Sequence, residues 1–208
     1  MKLLVLIIGP ESTATRAFTE AFSNHANILG TNNAKEHIDI LDPVWFELEK
    51  NNINEAVKKF PTNNDKIIVT RRSIPHGIKP GEAAKYMTFP NIYMLYQLCK
   101  KIEYRLFILI TTRSPIPNII SMAKNRRSTN GEVEKAFNQY QMAYKKIFEI
   151  INKYQIQYFI ISVESFLLDQ ANLILSLHKY FGIALKDIKT DVKVNINKQH
   201  YIEFLNLK

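Results

Sequence analysis

The chain has 208 residues, 46% of them hydrophobic, with a formal net charge of +9 at pH 7. A chain of this length and composition can bury one core, so we expect a single domain over residues 1–208. Its one cysteine, Cys99, excludes an internal disulfide and a cysteine-based zinc site, and we expect no metal. The positive charge favours an anionic partner without identifying it.

The first predicted element is a buried strand at the amino terminus. Residues 3–8 are all apolar and end at Gly9, which makes a run of strand length. This run is too short for a signal-peptide core or a membrane span. We therefore expect a cytoplasmic protein without a membrane partner.

A loop and a helix follow this strand. Small and hydroxyl residues dominate positions 9–15, and apolar residues then recur at helical spacing from Ala17 to Phe22. A strand, a tight loop and a helix together direct backbone N–H groups and a helix amino terminus at a phosphate. The loop lacks the lysine of an ATP-binding Walker loop, because Thr15 and Arg16 stand where that motif has Lys and Ser/Thr.

Three more apolar runs predict buried strands, each followed by polar residues such as 71–73, which we expect to form a loop. Unbroken apolar strands that alternate with helices indicate an α/β fold, a three-layer sandwich with a central parallel sheet. Ligands of such folds bind beyond the carboxyl ends of the strands, which would bring segments 9–16, 71–76 and 113–121 around one cleft. The strands are predicted over residues 66–70, 105–111 and 158–162, and helices over 132–153 and 167–181.

Three short motifs occur in order along the chain. The first is Gly9 followed by Thr15-Arg16-Ala17 in the loop. The second is Arg113-Ser114-Pro115 after a strand, with Ser121 eight residues beyond Arg113 on the next predicted helix. The third runs from Val163-Glu164-Ser165, after the last strand, to Tyr180-Phe181-Gly182-Ile183 at a helix end.

This ordered set resembles the sulfotransferases that use 3′-phosphoadenosine 5′-phosphosulfate (PAPS), above all the heparan-sulfate and other carbohydrate sulfotransferases. Their phosphosulfate loop is rich in glycine and ends in Thr-Arg-Ala. Their second motif is Arg-Asp-Pro with a serine eight residues after the Arg, and a strand, a glutamate and a helix follow near the end. The resemblance covers nearly the whole chain, although each motif alone is weak.

The resemblance implies two anion sites for PAPS as the donor of the sulfuryl group. Arg113 and Ser121 would bind the 3′-phosphate through a guanidinium fork and a hydroxyl group. The chain has Ser114 where the family has Asp, and it lacks the usual loop cation, so Arg72 is expected to act as a catalytic cation in compensation. The phosphosulfate end would lie on Gly9, Ser12, Thr13, Ala14, Thr15 and Arg16. Among these residues, Ser12 replaces the usual cation and Ala14 replaces a glycine.

Sulfuryl transfer to a hydroxyl group also needs a base, because an alcohol is a poor nucleophile until its proton leaves. By the same resemblance, Glu36 occupies the place of the catalytic glutamate. His37 and His76 are held in reserve for this role, whereas His178 lies within an apolar helical stripe and is expected in the core.

Two other classes of function stay open at this stage. A small-molecule kinase with a degenerate Walker loop would explain the segment Gly9-Pro10-Glu11-Ser12-Thr13, but not the missing lysine. A basic nucleic-acid-binding module would explain the charge and the run 124–127, but no nucleic-acid motif occurs. We therefore expect a carbohydrate or other small acceptor, and no nucleic acid, as the partner of a sulfotransferase.

Overall fold

Strands and helices alternate along the part of the chain that the structure, a computed structural model, describes: residues 2–23, 25, 27–30, 39–61, 67–76 and 87–182. In chain order these are β1 (Leu3–Pro10), α1 (Thr15–Ser23), β2 (Ile28–Leu29), α2 (Asp42–Glu49), α3 (Ile53–Lys59), β3 (Ile67–Ile74), α4 (Ile92–Lys101), β4 (Arg105–Thr112), α5 (Pro115–Asn125), α6 (Val133–Tyr154), β5 (Gln157–Ser162), α7 (Val163–Leu168) and α8 (Gln170–Tyr180). The expectation of one domain over residues 1–208 reaches beyond these ranges and stays a prediction.

The amino-terminal apolar run forms the central strand of a five-stranded sheet with the order β2-β3-β1-β4-β5. Every pairing in it is parallel, and Val5 of β1 lies between Val69 of β3 and Phe107 of β4. All residues of β1 are buried, because helices cover both faces of a parallel sheet.

The side chains of β1 alternate between two hydrophobic cores. Leu4, Leu6 and Ile8 pack with residues from α2, α3, α4 and α6 on one face. Leu3, Val5 and Ile7 pack with residues from α1, α7 and α8 on the other. Complete burial of each such side chain contributes about 1.5–3 kcal/mol to stability. The predicted α/β fold, a three-layer sandwich around a parallel sheet, is confirmed.

Two predicted boundaries and one predicted burial are wrong. Tyr158, Phe159 and Ile160 of β5 are exposed, although the apolar run over 158–162 predicts a buried strand. Residues 71–73 do not form a loop, because β3 continues to Ile74 and Arg71, Arg72 and Ser73 pair with Ile7, Ile8 and Gly9. The single helix predicted over 167–181 is divided into α7 and α8 at Asp169, whose side chain accepts a hydrogen bond from the N–H of Asn172 and begins a new helix.

The carboxyl ends of the three middle strands place polar residues at one edge of the sheet. The loop after β1, the last residues of β3 and the segment after β4 all lie at this edge, since Gly9 pairs with Ser73 and Ile8 with Ile110. This is the edge at which α/β sheets bind ligands.

Candidate functional site

The loop between β1 and α1 is fixed from both sides by the sheet. The N–H of Glu11 donates to the carbonyl of Ile74, and Thr13 Oγ1 donates to the carbonyl of Pro10 at 2.6 Å. Thr13 Oγ1 also lies 2.7 Å from Thr111 Oγ1 of β4. At Gly9, a Cβ would overlap the side chain and carbonyl of Thr111, so only glycine allows this approach.

The backbone of this loop alternates between two conformations. Ser12 and Ala14 have φ of 67° and 56°, whereas Thr13 between them does not have a positive φ. Such alternation is typical of nests, the backbone concavities that bind anions. The N–H of Thr13 donates to the carbonyl of Pro10 at 3.3 Å, so the N–H groups of Ser12 and Ala14 are the candidate donors of this nest. The prediction that the loop over Gly9–Arg16 binds a phosphate stays a prediction, and the backbone of the loop is compatible with it.

The amino terminus of α1 opens onto the same loop. The first hydrogen bond of the helix runs from the N–H of Phe18 to the carbonyl of Ala14. The N–H groups of Thr15 and Ala17 precede that bond, so the hydrogen bonds within the helix do not use them. They add the positive end of a helix dipole to the nest.

Arg113 lies directly behind this loop. Its side chain is buried, with 7% exposed, and Nη1 donates to the carbonyl of Ser12 at 3.1 Å. A cation so deeply buried needs anionic or carbonyl groups around it. Arg113 thus joins the carboxyl end of β4 to the loop, and its predicted role in binding stays a prediction.

Ser121 lies two turns further along α5 and is also buried. The adjoining wall comes from α6, where the Tyr144 hydroxyl donates to the carbonyl of Thr111 at 3.1 Å and that of Tyr140 to the carbonyl of Arg113 at 3.4 Å. Burial raises the pKa of both tyrosines, which keeps them as neutral donors. The segment that carries Arg113 is therefore held by α6.

Glu11 and Arg126 form a second group of charges on the loop. Arg126 Nε lies 3.4 Å from Ser12 Oγ and 3.9 Å from Glu11 Oε1. Ser128 Oγ lies 3.1 Å from Glu11 Oε2, and burial raises the pKa of Glu11. No sequence pattern connects these residues, because Arg126 reaches the loop from a turn more than a hundred positions away.

Arg72 has its partners on the opposite side of the loop. Its guanidinium bonds Asp42 Oδ1 at 2.8 Å and the carbonyl of Arg71, and it lies 4.6 Å above the ring of Trp45. These contacts fix the side chain at the carboxyl end of β3, with 14% of it exposed. Its predicted catalytic role stays a prediction.

His76 lies just beyond β3 and is buried. Burial, and then the positive charge of Arg72, lower the pKa of His76 to about 4. Its Nε2 is 3.5 Å from Glu49 Oε1, and burial raises the pKa of Glu49. His76 is accordingly neutral near pH 7, the state in which an imidazole can accept a proton.

Two of the predicted bases, Glu36 and His37, lie outside the described residues. His178 is fully buried, with Nε2 3.1 Å from the carbonyl of Phe22, as expected of a core residue. Within the described ranges, no group of three His, Cys, Asp or Glu side chains could hold a metal ion. No helix in the same part of the chain is long and apolar enough to cross a membrane.

Comparisons with known proteins find similarity in three dimensions alone. No protein-family model matches the chain, and no curated protein does. A sulfotransferase from Alicyclobacillus acidocaldarius aligns over 99% of this chain and 92% of its own, with a TM-score of 0.56 and 11% identity.

Two further solved structures align in the same way. The sulfotransferase domain of the Synechococcus PCC 7002 olefin synthase aligns over 100% of this chain and 83% of its own, with a TM-score of 0.52 and 9% identity. The sulfotransferase domain of the curacin biosynthetic pathway aligns over 96% of this chain and 83% of its own, with a TM-score of 0.51 and 10% identity. At such identities these matches show the fold, which this chain shares with those sulfotransferases.

Proposed function

We propose that this protein is a sulfotransferase that moves a sulfuryl group from PAPS to a hydroxyl group, with a carbohydrate as the expected class of acceptor. The observation that carries the proposal is the hydrogen bond from Arg113 to the carbonyl of Ser12. It brings the cation of the predicted 3′-phosphate site against the loop that forms the predicted 5′ site. Two phosphates on one ribose require two anion sites that adjoin in this way.

The donor set of the two sites suits PAPS. N–H groups of Ser12, Ala14 and the first turn of α1 would hold the phosphosulfate end, together with the hydroxyl of Thr15, the first residue of α1. The guanidinium of Arg113 and the hydroxyl of Ser121 would hold the 3′-phosphate. When bound, PAPS supplies an activated sulfuryl group, and the chain's own task is to orient it and to deprotonate the acceptor.

The loop donors serve the reaction as well as binding. Preformed N–H groups aimed at a site of developing negative charge stabilise it without reorganisation, and one such donor typically contributes about 10²–10³-fold in rate. The nest at Ser12 and Ala14 supplies such donors in a fixed arrangement. This reduces, but does not remove, the need for a loop cation.

Glu36 remains our proposed base. The nearest described residue, Asp39, accepts hydrogen bonds from Thr70 Oγ1 at 2.7 Å and from the N–H of Arg71 at 2.8 Å. These bonds hold Asp39 itself against β3, beside Thr70 and Arg71. His76 is the alternative base, since it is neutral near pH 7 at the same edge.

Nucleotide binding measured by calorimetry without Mg²⁺ tests the proposal. We expect adenosine 3′,5′-bisphosphate to bind more tightly than 5′-AMP, because only the bisphosphate occupies both sites. At 100 times its dissociation constant it should stabilise the fold by about 2.7 kcal/mol. Arg113→Ala should remove the preference for the 3′-phosphate, whereas Arg127→Ala, on an exposed side chain, should keep it.

Equal affinity for the bisphosphate and 5′-AMP would refute a dedicated 3′-phosphate site. A preference for ATP with Mg²⁺ would favour the kinase, and weak binding of every nucleotide the basic module. With an acceptor found by screening sugars with labelled PAPS, Glu36→Gln should lower turnover by about 10²-fold or more at unchanged bisphosphate affinity. Full activity of Glu36→Gln together with inactive His76→Gln would assign the base to His76.

A further inference from the structure

The turn after α5 carries Arg126 to the phosphate loop on a fixed backbone. The N–H of Arg126 donates to the carbonyl of Met122 and ends the helix. Thr129 is fully buried, and its Oγ1 lies 2.8 Å from the carbonyl of Arg126 and 2.9 Å from that of Met122, so that its single hydroxyl hydrogen is shared between them. These bonds hold the backbone of the turn at Arg126 in place.

The side chain of Arg126 ends on two loop residues. Its Nε is 3.4 Å from Ser12 Oγ, and it lies 3.9 Å from Glu11 Oε1. With 41% of the Arg126 side chain exposed, the guanidinium reaches the solvent side of the loop. Arg127 beside it is exposed and has no hydrogen bond or ion pair with any described residue.

Glu11 makes this contact necessary. It is 9% exposed and places a carboxylate within a loop that is otherwise arranged for an anion. Ser128, next in the same turn after Arg127, lies 3.1 Å from Glu11 Oε2 and from Gln139 Oε1 of α6. Without a cation close by, the carboxylate of Glu11 would repel a phosphate in the loop.

We propose that Arg126 is the cation of the phosphate loop: it pairs with Glu11 when no ligand is bound and binds the 5′-phosphate group when one is. This inference rests on the proposed function, since it assumes a nucleotide whose 5′ end lies in the loop. Arg126 thereby supplies the positive charge that the loop itself lacks, since the chain has Ser12 at the position of the usual loop cation. It is a binding residue supplied by a different element of the fold.

Calorimetric titrations with three nucleotides test this assignment. We expect Arg126→Ala to weaken binding of 5′-AMP and of adenosine 3′,5′-bisphosphate about tenfold, and binding of 3′-AMP hardly at all. Arg127→Ala is the matched control, because it removes the same charge from the neighbouring residue, and should bind like the wild type. Glu11→Gln should bind 5′-AMP more tightly than the wild type, because Arg126 is then released from its pair.

The double variant Glu11→Gln/Arg126→Ala separates ligand binding from a structural role. If Arg126 served only to neutralise Glu11, removal of both charges would restore wild-type affinity, and the inference would be overturned. We expect the affinity for 5′-AMP to stay low. The double variant also contains no unpaired buried charge, so it remains folded and measurable even if Arg126→Ala does not.

Three further results of these titrations would refute the assignment of Arg126. A wild-type protein that binds no adenine nucleotide would refute the proposed function and this inference with it. A wild type that prefers the bisphosphate, together with equal affinities for Arg126→Ala and Arg127→Ala, would refute this inference alone. A loss confined to 3′-AMP and the bisphosphate would place Arg126 at the other phosphate and overturn the assignment.

Discussion

Backbone strain in the phosphate loop belongs to two individual residues, Ser12 and Ala14. Both have a side chain and a positive φ, a combination that raises the energy of each by roughly 1–2 kcal/mol relative to glycine. The surrounding bonds maintain it, since Thr13 between them is tied to Pro10 and Thr111. Hydrogen bonds within the protein thus keep the loop in this strained conformation.

Ala14→Gly should therefore stabilise the protein. Relief of the left-handed conformation exceeds the extra entropy that glycine loses on folding, and we expect a gain of about 0.5–1 kcal/mol in the free energy of unfolding. Urea unfolding followed by circular dichroism measures it. The matched control is Ala17→Gly in α1, which should lower stability by about 1 kcal/mol. Losses of equal size at both positions would show that residue 14 carries no strain.

At the scale of elements, a buried polar network joins β3 to the start of α2. Asp39 Oδ1 accepts from Thr70 Oγ1 and from the N–H of Leu41, and Oδ2 accepts from the N–H of Arg71. Thr70 in turn accepts from Trp45 Nε1 at 2.9 Å. Burial raises the pKa of Asp39, against the positive charge of Arg72 and these hydrogen bonds. The network explains why β3 continues through Arg71 and Arg72 instead of ending before them.

Asp39→Asn should destabilise the protein more than the same kind of substitution at an exposed carboxylate. In the variant, the NH₂ group of asparagine replaces one carboxylate oxygen of Asp39. This NH₂ group faces a hydrogen-bond donor, so one buried N–H or hydroxyl group loses its acceptor. We expect the free energy of unfolding to fall by about 2–3 kcal/mol, measured by urea unfolding at pH 7. Glu134→Gln, in the exposed first turn of α6, is the control and should change stability little. Similar stability of the two variants would mean that the network is dispensable.

The elements that could be predicted are those whose signal lies in neighbouring residues. The apolar runs of β1 and β4 and the helical spacing within α6 were sufficient for their type and nearly for their bounds. β3 was predicted too short, because Arg71 and Arg72 look like loop residues until Asp39 and Asp42 are known to lie beside them. The two-residue strand β2 carries no local signal at all.

The same distinction applies to the candidate site. The loop and Arg113 could be found because each follows a strand, and the ends of parallel strands meet at one edge. Arg126 and Tyr144 could not, because their contacts depend on how α5 and α6 pack against the sheet, which no local pattern specifies. Residues that approach a site from distant elements need the packed fold to be seen.

At the scale of the whole molecule, the net charge of +9 raises the question whether affinity for an anion comes from the field of the protein or from a few contacts. Lys100 and Lys101 end α4 before β4, and Lys153 lies in the last turn of α6 before β5. All three are exposed at the amino edge of the sheet. Strands of eight residues separate that edge from the loop by about 25 Å.

Salt screens charges over about 8 Å at physiological ionic strength, so those lysines should not affect a ligand in the loop. The variant Lys100→Gln/Lys101→Gln/Lys153→Gln lowers the net charge from +9 to +6, yet we expect its affinity for adenosine 3′,5′-bisphosphate to stay within about twofold of wild type at 0.15 M salt. Arg126→Ala lowers the charge by one and should weaken binding about tenfold.

Repeating the titrations at 0.01 M salt makes the comparison sharper, because the screening length there grows to about 30 Å. The triple variant should then bind more weakly than the wild type, since charges at the far edge of the sheet reach the ligand. A large loss in the triple variant already at 0.15 M salt would contradict local recognition and attribute the affinity to the net charge. The arginines around the loop would in that case act only as part of a general positive field.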